Sequence, residues 1–132
     1  MPQIASQITF LYYKDLNSAQ HFYEEIMGFK LIEDQGWAKI YRITNGAFVG
    51  LVDETRGSLK VQENSAVMLT LVSNDVSGWY DYLKGQDVEF VRELGTSDEI
   101  QIEYFFIRDP GGYMIEIEKF LKPELADTFG LT

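Results

Sequence analysis

Polar and apolar residues alternate at every second position over several short runs of this chain, and twice that rhythm gives way to a helical one. Ser6–Tyr13 (SQITFLYY) is rich in β-branched and aromatic residues and predicts a strand. Asn17 or Ser18 can then cap a helix running to about Met27, because Ala19, Phe22, Tyr23, Ile26 and Met27 fall at helical spacing and give one buried stripe. Gly28 supplies a left-handed stop. Three strands are predicted next, at Phe29–Glu33, Trp37–Ile43 and Ala47–Val52, with Gly36 and the pair Asn45-Gly46 marking the turns.

The same order then repeats. A polar, irregular stretch, DETRGSLKVQEN, begins at Asp53, and after it come a strand at Ala66–Ser73, a helix from about Asp75 to Lys84, and strands near Val88–Glu93, Gln101–Arg108 and Tyr113–Glu118. Val76, Trp79, Tyr80 and Leu83 make the second helical stripe, and Asp15-Leu16 before the first helix matches Asp75-Val76 before the second. The reading is one α+β domain of two paired βαβββ modules: module one at about 6–53, a linker at about 54–65, module two at about 66–120 and a tail at 121–132. The tail carries Leu121, Leu125 and Phe129, a segment suited to docking on its own domain or a neighbour.

Alternation assigns each strand residue a side. In the last strand Tyr113, Ile115 and Ile117 point one way, Met114, Glu116 and Glu118 the other. Val67, Leu69 and Leu71, with Ala47, Val49 and Leu51, suit packing against helices on the outer face of a curved mixed sheet. The opposite sets, including Ile8, Phe10, Tyr12, Phe48, Gly50, Val52, Met68, Thr70, Met114 and Glu116, would line a concave cup that is apolar with few polar groups, the ordinary character of a small-molecule pocket.

Composition narrows the partners. The 11 basic and 21 acidic side chains leave a net charge of −10, which repels phosphate backbones and argues against a nucleic-acid partner while favouring cationic ligands. No apolar run approaches the roughly 20 residues of a membrane span, and the N-terminus lacks the basic start and apolar core of a signal peptide, so a cytoplasmic protein with no membrane partner is expected. Cysteine is absent, which removes disulfides and thiolate chemistry. The single histidine, His21, precedes the apolar Phe22 of the first helix and is expected to face solvent.

Two stretches carry a family resemblance. Asp15–Leu31 (DLNSAQHFYEEIMGFKL) and Phe105–Phe120 (FFIRDPGGYMIEIEKF), set in the repeated βαβββ order, resemble the motifs of the vicinal oxygen chelate superfamily of glyoxalases, bleomycin-resistance proteins and extradiol dioxygenases. That resemblance implies a homodimer and one divalent cation in the cup, its four ligand positions falling here at Ile8, Gly50, Met68 and Glu116. Ile8 has no donor atom, Gly50 no side chain, and Met68 only a soft thioether, so Glu116 alone suits a hard cation. No cofactor is therefore expected, although a divalent metal with other ligands, for instance Asp53 or Glu54 after a register shift, stays open.

The residues expected to bind a ligand are Phe10, Tyr12, Trp37, Phe48, Gly50, Met68, Thr70, Tyr104 and Glu116, with Tyr41 and Phe106 as further aromatics near the cup or its rim. Three roles compete for Glu116: a vestige satisfied by Thr70 or a tyrosine hydroxyl, an acceptor that orients a ligand's amine or hydroxyl, or a general acid or base. No catalytic group is readable beyond it. A second polar group within hydrogen-bonding reach of Glu116 would favour chemistry, and a ring of aromatics would favour binding. The expected function is small-molecule binding of the glyoxalase/bleomycin-resistance type with a degenerate metal site and an aromatic or cationic ligand. The alternative is a divergent enzyme on the same fold, a lyase, isomerase or dioxygenase-like protein, metal-independent or with other metal ligands.

Overall fold

The computed structural model describes residues 1–131 and separates into two compact units, Met1–Asn64 and the chain from Ser65 onward. Each unit carries its own four-stranded mixed sheet and a helix packed on it, the α+β pair of modules that the repeated order predicts.

The first unit runs β1 (Gln7–Tyr13), α1 (Leu16–Gln20), a π-helical continuation (His21–Ile26), β2 (Lys30–Asp34), β3 (Ala38–Thr44) and β4 (Ala47–Asp53). The strands lie in the order β1-β4-β3-β2, with β1 parallel to β4 and the other neighbours antiparallel. The cap of α1 differs from the sequence expectation, being Asp15 rather than Asn17 or Ser18. Its carboxylate takes the Ser18 amide at 3.2 Å and the Ser18 hydroxyl at 2.6 Å, using the third helical residue as a double donor. The wider π turn, closed by the Met27 amide on the Phe22 carbonyl at 2.8 Å, lets Phe22, Tyr23, Ile26 and Met27 all be buried. His21, at the start of that turn, is exposed as expected.

Leu11, Tyr13, Tyr41, Val49 and Leu51 form the helix side of this sheet and are buried. Tyr41 is therefore core, not pocket lining, because its pairing with Val49 sets its direction. Its hydroxyl donates to Glu24 Oε1 at 3.0 Å, and burial first, then the Glu24 carboxylate, pushes its pKa up. The polar linker is tied down at its start. Asp53 Oδ1 accepts from the Thr55 amide at 2.9 Å, and Glu54 Oε1 accepts from the Val61 amide at 3.0 Å, so both carboxylates serve turns.

The second unit runs β5 (Met68–Val72), α2 (Val76–Lys84), β6 (Glu89–Ser97), β7 (Ile102–Arg108), β8 (Met114–Phe120) and α3 (Pro123–Thr128), with the strand order β5-β8-β7-β6. Asp75 caps α2 by accepting from the Gly78 amide at 2.9 Å. The strand expected from Ala66 begins only at Met68, because its partner β8 begins at Met114 and leaves Ala66 and Val67 unpaired; Val67 is 44% exposed, not core. The strand expected to stop at Glu93 continues to Ser97, since β7 offers partners back to Ile102 once two bulges adjust the register. Ile115, Ile117, Phe105 and Ile107 face the helix and are almost fully buried, and Tyr80 of α2 meets Phe90 and Phe105 edge-on, at 5.5 and 5.4 Å between centroids.

The tail docks on its own unit. Pro123 opens α3, the Phe129 ring stacks on Phe120 at 4.8 Å, and Leu131 is the buried anchor, whereas Leu121 and Phe129 stay half exposed. Thr132, the last residue of the predicted tail, lies outside the described residues. Among the described residues no helix is long and apolar enough to cross a membrane.

The turn that aims β8 is held by one buried acid. Asp109 Oδ1 accepts from the amides of Gly111 and Tyr113, each at 2.9 Å, and Gly112 takes a φ of 88°. Replacing Asp109 strands those amides, so Asp109→Ala is expected to lower the unfolding free energy by about 2 kcal/mol in chemical denaturation. Asp98→Ala, in an exposed loop, is expected to change it by less than about 0.5 kcal/mol.

Candidate functional site

The strand β8 is bonded on both edges, to β5 in parallel and to β7 in antiparallel register. Its alternation sends Ile115 and Ile117 to the helix and Met114, Glu116 and Glu118 to the other, helix-free face. Across the strands Glu116 pairs with Thr70 on one side and Phe106 on the other, and Glu118 pairs with Val72 and Tyr104. Glu116 and Glu118 are only 9% and 7% exposed, an unusual environment for glutamate.

Their polar atoms are satisfied by one another and by Thr70. The Thr70 hydroxyl donates to Glu116 Oε1 at 3.0 Å, and Glu118 is hydrogen-bonded to Glu116. Two carboxyl groups can bond only if one carries a proton. Burial, then the charge of Glu116, then that hydrogen bond raise the Glu118 pKa to about 7, so below that pH the pair keeps one proton in the hydrogen bond between its two members. A carboxylate has about four acceptor sites. Two donors therefore leave Glu116 able to accept more.

Around the pair, Met68 is 46% exposed, and Met114, Tyr104 and Phe106 are half-buried. The Tyr104 and Phe106 rings lie 5.3 Å apart, tilted by 59°. Glu116 thus has both the second polar neighbour that would favour chemistry and the aromatic company that would favour binding. Glu118 is the residue whose role the sequence reading missed. The alternation had put it beside Glu116, and only the shared hydrogen bond shows why that matters.

The other predicted residues lie in the first unit. Ile8, Phe10 and Tyr12 of β1 pair with Phe48, Gly50 and Val52 of β4 on the helix-free face of that sheet. Phe10 lies directly over Gly50: a Cβ on Gly50 would sit 2.3 Å from the Phe10 ring. Tyr12 and Val52 are covered by the linker, where a Cβ on Gly57 would meet them at 2.7 and 2.4 Å. Trp37 stands in the turn before β3, with the Arg56 guanidinium 5.7 Å from its ring, and Arg42 stacks over Phe48 at 5.3 Å. The structure brings Met68, Thr70, Tyr104 and Glu116 together on one sheet face, and Ile8, Phe10, Tyr12, Phe48 and Gly50 on another. Trp37 sits at an end of the first sheet. Among the described residues, no group of three or more histidine, aspartate or glutamate side chains is placed to hold a metal ion.

The raised Glu118 pKa fixes a sign. Its folded value lies above that of an unfolded glutamate, so the stability it contributes is full below about pH 4.5 and is lost as pH rises through about 7. Glu118→Gln is expected to raise the melting temperature relative to the native chain at pH 8 more than at pH 5. Equal shifts at both pH values would refute the shared proton.

Comparison with known proteins agrees with this architecture. The profile of the Glyoxalase/Bleomycin resistance protein/Dioxygenase superfamily matches residues 4–117. A probable lactoylglutathione lyase from Vibrio parahaemolyticus serotype O3:K6 is 29% identical over 120 residues, covering 83% of this chain and 86% of that protein. Among solved structures, a glyoxalase/bleomycin resistance protein/dioxygenase from Nocardioides superposes with a TM-score of 0.76 at 16% identity, over 93% of this chain and 87% of its own. TioX from Micromonospora sp. ML1 gives 0.74 at 16% identity, over 89% and 99%. These structural likenesses establish the fold, and the profile match over most of the length establishes the family: the chain belongs to the glyoxalase/bleomycin resistance protein/dioxygenase superfamily.

Proposed function

We propose that this protein binds a small organic molecule with an apolar or aromatic body and a cationic or hydrogen-bond-donating group, and that Glu116 receives that group. The observation that carries the reading is the Thr70–Glu116–Glu118 hydrogen-bonded chain on a helix-free sheet face, beside Phe106 and two methionines. The same strand shows what a purely structural face looks like, since Ile115 and Ile117 fill its helix side with aliphatic carbon. Burying two carboxyl groups opposite them costs free energy that a ligand's donors can recover. Membership of the superfamily supports a small-molecule ligand. The reading includes a homodimer, as the resemblance implies, and a place in the cytoplasm.

The positions where the resemblance implies a divalent cation do not fit one. Position 8 is an isoleucine, position 68 a thioether, and position 50 a glycine whose side-chain space is filled by the Phe10 ring, which leaves a single hard donor at Glu116. No step of the proposed function runs through a metal.

A second reading draws on the carboxyl pair. One neutral and one ionised carboxyl group in hydrogen-bond contact, with the Glu118 pKa at about 7, are equipped to give and take a proton at neutral pH. A metal-independent lyase or isomerase would need that much, and the weak likeness to a probable lactoylglutathione lyase is in keeping with it.

Binding is testable by thermal shift and calorimetry against a panel of aromatic amines, since a ligand that binds only the native state raises the melting temperature. Glu116→Gln is expected to weaken the hits about tenfold or more, the scale of one charge-assisted hydrogen bond, while leaving the far-UV spectrum unchanged. Unchanged affinity across the panel would overturn the role of Glu116. Product formation from a bound candidate, lost in both Glu116→Gln and Glu118→Gln, would favour the enzymatic reading.

A further inference from the structure

The chain carries almost two acidic side chains for each basic one, so an arginine that pairs with none of them calls for a reason. Among the described residues Arg42, Arg56 and Arg92 form no ion pair, and of these three Arg92 alone lies in the second unit, with the carboxyl pair. Its hydrogen bonds are both made by Nη1, to the backbone carbonyls of Glu93 at 2.9 Å and Tyr104 at 3.3 Å. Its planar group lies 3.8 Å from the centre of the Tyr104 ring. Among the described residues the donors on Nε and Nη2 make no hydrogen bond.

The local backbone is built around this side chain. The register of β6 against β7 shifts between Phe90 and Arg92 and again between Arg92 and Gly95. The first bulge sends Phe90 to the helix side, where it stacks on Phe105, and Arg92 to the helix-free face opposite Phe106. At the second, Gly95 leaves room for the guanidinium: a Cβ there would stand 3.3 Å from both Nη1 and Nη2. Two carbonyls, a ring and a glycine thus fix the fork in one orientation, so little conformational entropy remains to be lost when it binds.

Arg92 shares its sheet face with the carboxyl pair. The order across the strands is Glu116 on β8, Phe106 on β7 and Arg92 on β6, which separates the two backbones by about 10 Å. We propose that Arg92 recognises an oxyanion, carboxylate or phosphonate, on the same ligand whose donor group Glu116 receives, so that the face selects an aromatic zwitterion with its charges at opposite ends. The inference rests on the proposed binding function and adds the ligand's second charge. The acid-rich surroundings make the selection sharper, since an anion finds no other fixed fork on this face. Arg108, the other arginine of the second unit, is engaged by Glu89 at 3.3 Å.

The test uses three probes on the intact protein, by calorimetry: 2-phenylethylamine, 4-ethylbenzoate and 4-(2-aminoethyl)benzoate. The zwitterion is expected to bind at least about tenfold more tightly than the amine, the scale of a charge-assisted fork contact. Arg92→Gln is expected to abolish that advantage and leave 2-phenylethylamine binding unchanged, and Arg92→Lys to restore only part of it. Equal affinity of the amine and the zwitterion for the native chain overturns the inference. So does an Arg92→Gln variant that loses both ligands equally, which would mark Arg92 as a strap for the bulge. Binding of 4-ethylbenzoate through Arg92 with no binding of the amine would refute the cationic reading of Glu116 and keep the oxyanion site. Failure of all three to bind refutes both.

Discussion

The central constraint in the second unit is the double bonding of β8. A strand hydrogen-bonded along both edges cannot slide, and a slip by one residue would send Glu116 and Glu118 into the aliphatic layer under α2 and lift Ile115 and Ile117 out of it. The penalty of either misplacement holds the register. The Asp109 turn sets where the strand starts, the two neighbours set how it runs, and the carboxyl pair inherits its position from both. A chemically demanding arrangement, two carboxyl groups under one hydrogen bond, is thus held by the least exotic part of the structure.

The two units solve the same packing problem with different helices. In the second, a regular α-helix buries Val76 and Leu83 and sets Tyr80 edge-on against Phe105. In the first, the helix widens into a π turn, and two aromatic neighbours in sequence, Phe22 and Tyr23, are buried together, edge to face at 4.9 Å. A regular helix turns adjacent residues about 100° apart, so burying both large rings favours the wider turn. The modules share an order of elements and a strand topology, and each fills its interior in its own way.

Fold and element order were legible in the sequence because they rest on short-range signals: alternation in the strands, the helical stripes, and glycine at Gly28 and Gly46, where φ is 73° and 77°. The misplaced details depend on partners distant in sequence. The late start of β5 is decided by where β8 begins, forty-six residues away, and the continuation of β6 by how far β7 reaches back. Tyr41 shows the same limit, since its burial follows from its pairing with Val49 and its hydroxyl partner is on the helix. At the candidate site the facing of Glu116 followed from alternation, and Thr70 stood beside a tyrosine hydroxyl as one of two candidate partners until the parallel pairing of β5 with β8 put it directly opposite. The orientation of Arg92 did not follow from alternation, because two bulges reset it just where it would have been applied.

Phe10 and Gly50 bear on how this chain can change. The ring rests where any β-carbon at position 50 would have to be, so a mutation there that adds a side chain meets a collision before it can offer a new donor atom. Acquiring a ligand at that position demands that the ring first shrink or swing aside, whereas trimming the ring alone leaves an open notch and costs little at so exposed a residue. The two positions are therefore coupled: descendants that gain a side chain at position 50 are expected to carry a phenyl group at position 10 that has been turned away or lost, which makes the pair a joint constraint as much as a packing contact.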